Sequence, residues 1–166
     1  MAYTPIDSIL GIQPIAVSST TQNHPEGLIV NAYDATLGGG EFIYLKGVAS
    51  TIVGSLVVYD PVNHTTTLAP NTANLDQPCA VAMSANVALS WGWYQVAGAA
   101  VIKKTAFSVN PNVPVYLSST TGRVAAAQAN GKQVVNARTV NAATVASATS
   151  TVTVLVQRPF LQGQTS

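Results

Sequence analysis

Apolar and polar residues alternate in short runs along most of the chain after residue 27, and these runs are rich in Val, Ile, Tyr and Thr. Such runs, separated by Gly, Pro, Asn and Ser, are typical of β-strands joined by turns. No segment combines apolar residues at helical spacing with capping residues. The pattern predicts strands near residues 28–33, 42–49, 55–60, 65–69, 79–85, 92–103, 114–118, 123–127, 133–140 and 151–157.

The first 26 residues follow a different pattern. Pro5, Pro14 and Pro25 preclude a long helix, because proline lacks the backbone donor and clashes with the preceding turn. The segment is nevertheless too apolar for a solvated tail, so it should pack on its own domain or on a neighbouring subunit. We therefore predict an extended N-terminal arm over 1–26, a single β-domain over 27–160 and a short C-terminal tail over 161–166.

Two parts of the β-domain resemble each other. EFIYLKGVA (41–49) is similar to GWYQVAGAA (92–100), and SLVVYDPVNHTTTLA (55–69) is similar to NVPVYLSSTTGRVAA (112–126). In each copy two further strands follow. Chance similarity is the alternative in a chain so rich in Val, Ala and Thr. The pattern predicts an all-β fold, a small β-barrel or sandwich with an internal repeat of hairpin, strand and strand.

Composition narrows the classes of partner. Charged residues make up 8% of the chain and hydrophobic residues 48%, with a net charge of +1, whereas about 25% of residues are charged in an ordinary soluble domain. A surface with so little charge suits a subunit that packs against others. The seven basic residues are scattered, which argues against a nucleic-acid partner, because phosphate binding needs a clustered basic face.

Two uncharged runs, 77–102 and 139–157, are long enough to be considered as membrane spans. The first is interrupted by polar residues and proline, and the second consists largely of Ala, Val, Thr and Ser. A spanning helix needs about 20 predominantly apolar residues. Both runs fit β-structure better, and we expect no membrane partner.

The segment GGGEFIYLKG (38–47) contains three glycines and a lysine, as a phosphate-binding loop would. A P-loop requires Gly-Lys-Ser/Thr between a strand and a helix, because loop amides and the helix N-terminus bind the phosphates. Here Lys46 lies inside a strand-like run and no helix follows. We predict a flexible glycine loop that leads into a strand.

Catalytic chemistry is poorly supplied. His24 and His64 are 40 residues apart without a metal-ligand spacing, and Asp60 and His64 flank an ordinary turn, YDPVNHT. Cys79 lies in an apolar strand and is interpreted as a small buried hydrophobe. We expect no catalytic residue, no metal site, no cofactor and no enzymatic activity. A hydrolase that depends on His64 is the enzymatic alternative.

Trp91, Trp93 and Tyr94 form an aromatic group on one predicted strand. Alternation places Trp91 and Trp93 on one face and Tyr94 on the other. The two tryptophans could fill the core, form a subunit interface or, if exposed, stack on a sugar.

The order GEFIYLKGVAST, GSLVVYD, CAVAMSA, GWYQVAGAAVIK, PVYLSSTTGRV and RPF resembles head decoration, or capsid cement, proteins of tailed bacteriophages. The likeness covers residues 40–160 or so. It implies a small β-rich virion protein, often trimeric, that binds the major capsid protein on the outer surface of the head and stabilises the head without a cofactor. The resemblance offers no motif for capsid contact.

These observations give two hypotheses for function. The first is a capsid-decorating cement protein that acts as a homo-oligomer, with a trimer favoured. The alternative is a tail or fibre adhesin that binds a host glycan through Trp91 and Trp93. The candidate capsid or subunit contact residues are Tyr3, Ile6, Ile9, Leu10, Ile12, Trp91, Trp93 and Phe160.

Overall fold

The computed structural model describes residues 3–7, 11–86 and 88–164, and within these ranges it contains strands and turns but no helix. The all-β prediction is confirmed. In chain order the strands are β1 (Thr4–Pro5), β2 (Ile29–Asp34), β3 (Gly38–Lys46), β4 (Leu56–Tyr59), β5 (Thr66–Leu68), β6 (Cys79–Ala82), β7 (Trp91–Lys103), β8 (Pro114–Leu117), β9 (Val124–Ala125), β10 (Gln133–Thr139) and β11 (Thr151–Leu161).

The eleven strands form one antiparallel sheet that does not close on itself. Its main path runs β1-β2-β3-β7-β11-β10-β8-β9, and β5-β4-β6 branches from β7. The barrel alternative is therefore wrong. Side chains from β4, β6, β7, β8, β10 and β11 share one buried cluster, so the two arms of the sheet pack face to face in a sandwich-like arrangement.

The predicted repeat is present in the strand pairing. In the first copy β4 pairs with β5 and β6, and β6 pairs with β7, which also pairs with β3. In the second copy β8 pairs with β9 and β10, and β10 pairs with β11, which also pairs with β7. The pair Val58 and Cys79 and the pair Val115 and Val134 occupy matching, buried positions.

The N-terminal segment packs on its own domain. β1 pairs with β2, and Ile12 and Ile15 join a second buried cluster with Phe42, Tyr44 and Trp93. The third buried cluster lies between β3, β4, β6 and β7 on the other side of the β3–β7 ladder. The apolar residues of the arm thus cover a face of the sheet that would otherwise expose aromatic side chains.

Two predictions at strand ends are corrected. The glycines were expected to form a flexible loop, but β3 begins at Gly38, and Gly39 and Gly40 pair with Tyr33 and Ala32 of β2. At the other end of the chain the tail was expected from residue 161. Leu161 is instead buried and is the last residue of β11, where it pairs with Val134 of β10.

The ladder between β3 and β7 depends on a glycine at position 98. Gly98 has φ of +101°, and a Cβ at this position would lie 2.5 Å from the carbonyl oxygen of Gly39. The two backbones therefore approach more closely than a side chain on residue 98 would allow. The register of the ladder then shifts between Glu41 and Phe42, which marks a β-bulge.

A buried lysine joins two loops of the second copy. Lys104 follows β7 and is almost fully buried. Its Nζ donates to the carbonyl oxygens of Phe107, at 2.7 Å, and Ser147, at 3.3 Å. Burial lowers the pKa of Lys104. The ammonium group thereby connects the loop after β7 with the loop before β11.

Candidate interaction surface

The candidate contact residues do not form one surface. Ile6 is largely exposed, whereas Tyr3 is buried: its ring packs on Phe42 at 4.8 Å, and its hydroxyl donates to the carbonyl oxygen of Ala99 at 2.8 Å. Ile12 packs against the second cluster. Phe160 is half-buried near the end of β11. Ile9 and Leu10 lie outside the described residues.

The two tryptophans share a face, as predicted, but differ in exposure. Trp93 is fully buried, and its Nε1 donates to the carbonyl oxygen of Gln13 at 2.9 Å. Trp91 is half-buried; its Nε1 donates to Glu26 at 2.6 Å, and the Lys46 ammonium lies 5.3 Å from its ring centroid. A sugar-stacking surface that needs both rings is therefore not exposed in this fold.

The structure instead brings three other segments together at one place. The segments are 14–19, 48–55 and 83–90, and we call their described residues the apolar end. Four of its large apolar side chains are exposed: Val17 by 47%, Ile52 by 46%, Val53 by 46% and Leu89 by 65%. Such a concentration of exposed apolar side chains is typical of a contact surface.

Hydrogen bonds connect the three segments. The Ser18 hydroxyl donates to the carbonyl oxygen of Ala85 at 3.2 Å, and the backbone N–H of Asn86 donates to the carbonyl oxygen of Thr51 at 3.1 Å. A small depression of about 230 Å³ lies where the three segments meet and is lined by Tyr3, Ile15, Ala16, Val53 and Met83. The segments thus form one continuous surface.

Asn86 positions the loop over 83–90. Its buried side chain accepts a hydrogen bond from Ser84 at 2.7 Å and donates to the Tyr94 hydroxyl at 2.6 Å. The amide lies so close to Gly47 and Gly92 that a Cβ on either glycine would collide with it or press against it. These two glycines therefore leave room for the Asn86 side chain.

Leu89 has an unusual backbone conformation. Its φ is +65°, a region that costs an L-residue with a large side chain about 1–2 kcal/mol. Its side chain is also largely exposed, so folding gains little from burying it. A strained backbone that presents an apolar side chain to the exterior suggests a binding role.

The apolar end carries no charge. None of the residues in 14–19, 48–55 and 83–90 is Asp, Glu, Lys, Arg or His. Charged residues lie at its border: the backbone N–H of Lys103 donates to the carbonyl oxygen of Gly54 at 2.8 Å, and Glu26 and Lys46 contact Trp91. A partner could therefore bind here without desolvating ionised groups of this chain. The missing charge was visible in the sequence, but the assembly of three distant segments was not.

The described residues offer little catalytic chemistry. They contain no cluster of three or more His, Cys, Asp or Glu side chains suited to a metal ion. The Asp60 carboxylate accepts hydrogen bonds from the backbone N–H groups of Val62 and Asn63, which confirms the turn. These bonds lower the pKa of Asp60. Cys79 is buried, as predicted, and burial raises the pKa of its thiol, which disfavours the thiolate.

In the described part of the chain, no helix has the length and apolar character needed to cross a bilayer.

Comparison with known proteins identifies no relative: the chain matches no protein-family model, and no curated protein sequence matches it.

Proposed function

We propose that this chain is a bacteriophage virion structural protein that decorates the outer surface of the head and stabilises it. The apolar end is the surface that binds the major capsid protein. The single observation that carries the proposal is the charge-free apolar end with the exposed, strained Leu89 at its rim. The sequence resemblance to capsid cement proteins supports the same assignment.

The energetics fit a protein that acts in many copies. Completing the burial of a half-exposed Val, Ile or Leu side chain contributes about 1 kcal/mol, and the apolar end presents four such side chains. This gain is comparable with the cost of association, so a single copy binds weakly. A homo-oligomer, for which a trimer is favoured, multiplies the contacts through effective concentration.

Stabilisation of the head follows from mass action. A protein that binds the assembled shell, and not the unfolded capsid subunits, shifts the equilibrium toward the assembled shell. The adhesin alternative has less support, because Trp93 is buried in its own fold.

Leu89→Asn tests the apolar end without adding charge. Asn tolerates the left-handed region better than Leu, so the variant should fold at least as stably as the parent. The matched control is Val62→Asn, since Val62 is 79% exposed but lies in the turn after β4. Undecorated, expanded heads of the encoding phage are incubated with each protein, and bound protein is measured by co-sedimentation.

The proposal expects Leu89→Asn to lower the affinity for heads by about tenfold, because several copies each lose an apolar contact. Val62→Asn should bind like the parent protein. Full decoration by Leu89→Asn, or no binding by the parent protein to any form of the head, would contradict the proposal.

A further inference from the structure

A second surface lies on another part of the molecule and shares no residue with the apolar end. On β2, Asn31 and Tyr33 point away from the core, and they lie opposite Glu41 and Gly39 of β3. Glu41 in turn lies opposite Ala97 of β7. Because directly opposed residues project from the same face of a sheet, these side chains share one outer face.

The same face continues across the second copy. Ala97 of β7 lies opposite Gln157 of β11. Two residues along β11, Leu155 lies between Ala99 of β7 and Arg138 of β10, and it pairs with both. We call this face, from Tyr33 on β2 to Pro114 on β8, the outer trough. It crosses six strands and is therefore roughly 24 Å long, from about 4.8 Å per strand spacing.

Two depressions open on the outer trough. The first, of about 290 Å³, is lined by Ile6, Asn31, Ala32, Gly39, Gly40, Glu41, Ala97 and Gly98. The second, of about 350 Å³, is lined by Asn112, Pro114, Gln133, Asn136, Ala137, Arg138, Leu155 and Gln157. Ala97 and Gln157 are cross-strand neighbours, so the two depressions adjoin along the same row.

Backbone irregularities create this shape. A Cβ on Gly39 would meet no atom within 4 Å, so the floor of the first depression is open. In the second depression the ladder of β10 and β11 is interrupted: Asn136, at φ +59°, stands against the three residues 157–159. Bulges of this kind redirect side chains and are common beside binding sites.

The chemistry of the outer trough is polar but nearly neutral. Tyr33 is 53% exposed at one end. Glu41 and Arg158 form an ion pair at 2.8 Å beside the central row. Among the described residues, the side chains of Asn136, Arg138 and Gln157 form no hydrogen bond within the chain. They can therefore donate to and accept from a ligand without breaking an internal contact.

These features favour one class of ligand. A carboxylate in the central row and only two arginines disfavour a polyanion such as nucleic acid. The scarcity of exposed apolar side chains in the second depression disfavours the core of a protein interface. An exposed aromatic ring with planar amide groups along a shallow trough suits a chain of neutral, hydroxyl-rich units.

We propose that the outer trough binds a neutral oligosaccharide that lies across the strands. The Tyr33 ring stacks on one sugar, and the amides of Asn136 and Gln157 hydrogen-bond to hydroxyl groups farther along. This inference does not depend on attachment to a capsid.

The test is an NMR titration of the isotopically labelled full chain with maltohexaose, cellohexaose, mannohexaose and the hexamer of N-acetylglucosamine, each at millimolar concentration. We expect at least one of them to shift backbone amide signals of β2, β3 and β11 along the outer trough. Tyr33→Ala should weaken that binding at least about tenfold, through lost ring stacking. Gly39→Leu should abolish it by filling the first depression.

The controls separate this inference from the proposed function. Gly39→Leu is expected to fold, since its side chain enters open space, and thermal melting checks this. It should still bind heads, whereas Leu89→Asn should still bind the sugar. No signal change with any of the four sugars, or unchanged binding by both trough variants, would overturn the inference. So would loss of head binding in Gly39→Leu, which would make the trough a protein contact.

Discussion

The Tyr94 phenol connects β7 to the 83–90 segment of the apolar end, through its hydrogen bond with Asn86. It is fully buried and accepts a hydrogen bond from Asn86. Burial raises the pKa of Tyr94 from 10.0 to about 12, because the ionised phenolate is poorly solvated there. The apolar end therefore rests on a group that must stay neutral.

This shift predicts a loss of stability at alkaline pH. The unfolded chain releases the Tyr94 proton near pH 10 and the folded chain only near pH 12. Between these values the folded state binds more protons, so the free energy of unfolding falls as pH rises, by up to about 3 kcal/mol. Urea unfolding at about pH 8 and about pH 11.5 measures the loss.

Tyr94→Phe should lose less stability over the same interval. Some loss will persist, because burial also raises the pKa values of Tyr3, Tyr44 and Tyr59. An equal loss in Tyr94→Phe and in the parent protein would show that Tyr94 does not titrate between these limits.

At the scale of elements, the ladder between β3 and β7 carries the first depression of the outer trough. The two glycines that meet there have different roles. Gly98 needs its positive φ and the close approach to Gly39, whereas Gly39 faces open space.

A matched pair of variants separates these roles. Gly98→Ala should destabilise the protein by about 2 kcal/mol or more, since the Cβ would collide with the Gly39 carbonyl in a strained conformation. Gly39→Ala should change stability by no more than about 0.5 kcal/mol. Chemical denaturation measures the free energy of unfolding of both variants. Equal losses of stability would contradict the close approach of the Gly98 backbone to the Gly39 carbonyl.

The local sequence pattern was sufficient to predict ten of the strands and their repeat, because alternation and turn residues are properties of neighbouring positions. It could not predict that Gly38 to Gly40 belong to a strand. Glycine is disfavoured in strands, and these residues become part of a strand by pairing with β2 and, at Gly40, with Gly98 of β7, which is distant in sequence. The two-residue β1 was missed because it forms only by pairing with β2.

At the scale of the whole molecule, the two proposed surfaces have opposite characters. The apolar end is uncharged and strained at Leu89, and the outer trough is polar and bears the Glu41–Arg158 ion pair. The low charge content predicted a subunit that packs against others. It could not identify the contact surface, because the apolar end combines residues as distant in sequence as Val17 and Leu89. Trp91 and Trp93 were the most conspicuous candidate contact residues in the sequence, but Trp93 is buried in the core.

The central claim, that this chain decorates the phage head through the apolar end, is tested most directly by electron cryo-microscopy of the intact virion of the encoding phage. We predict density for the sandwich-like β-domain on the outer surface of the head, with Val17, Val53 and Leu89 against the shell. Density on the tail, absence of the chain from the particle, or an apolar end that faces solvent would contradict the account.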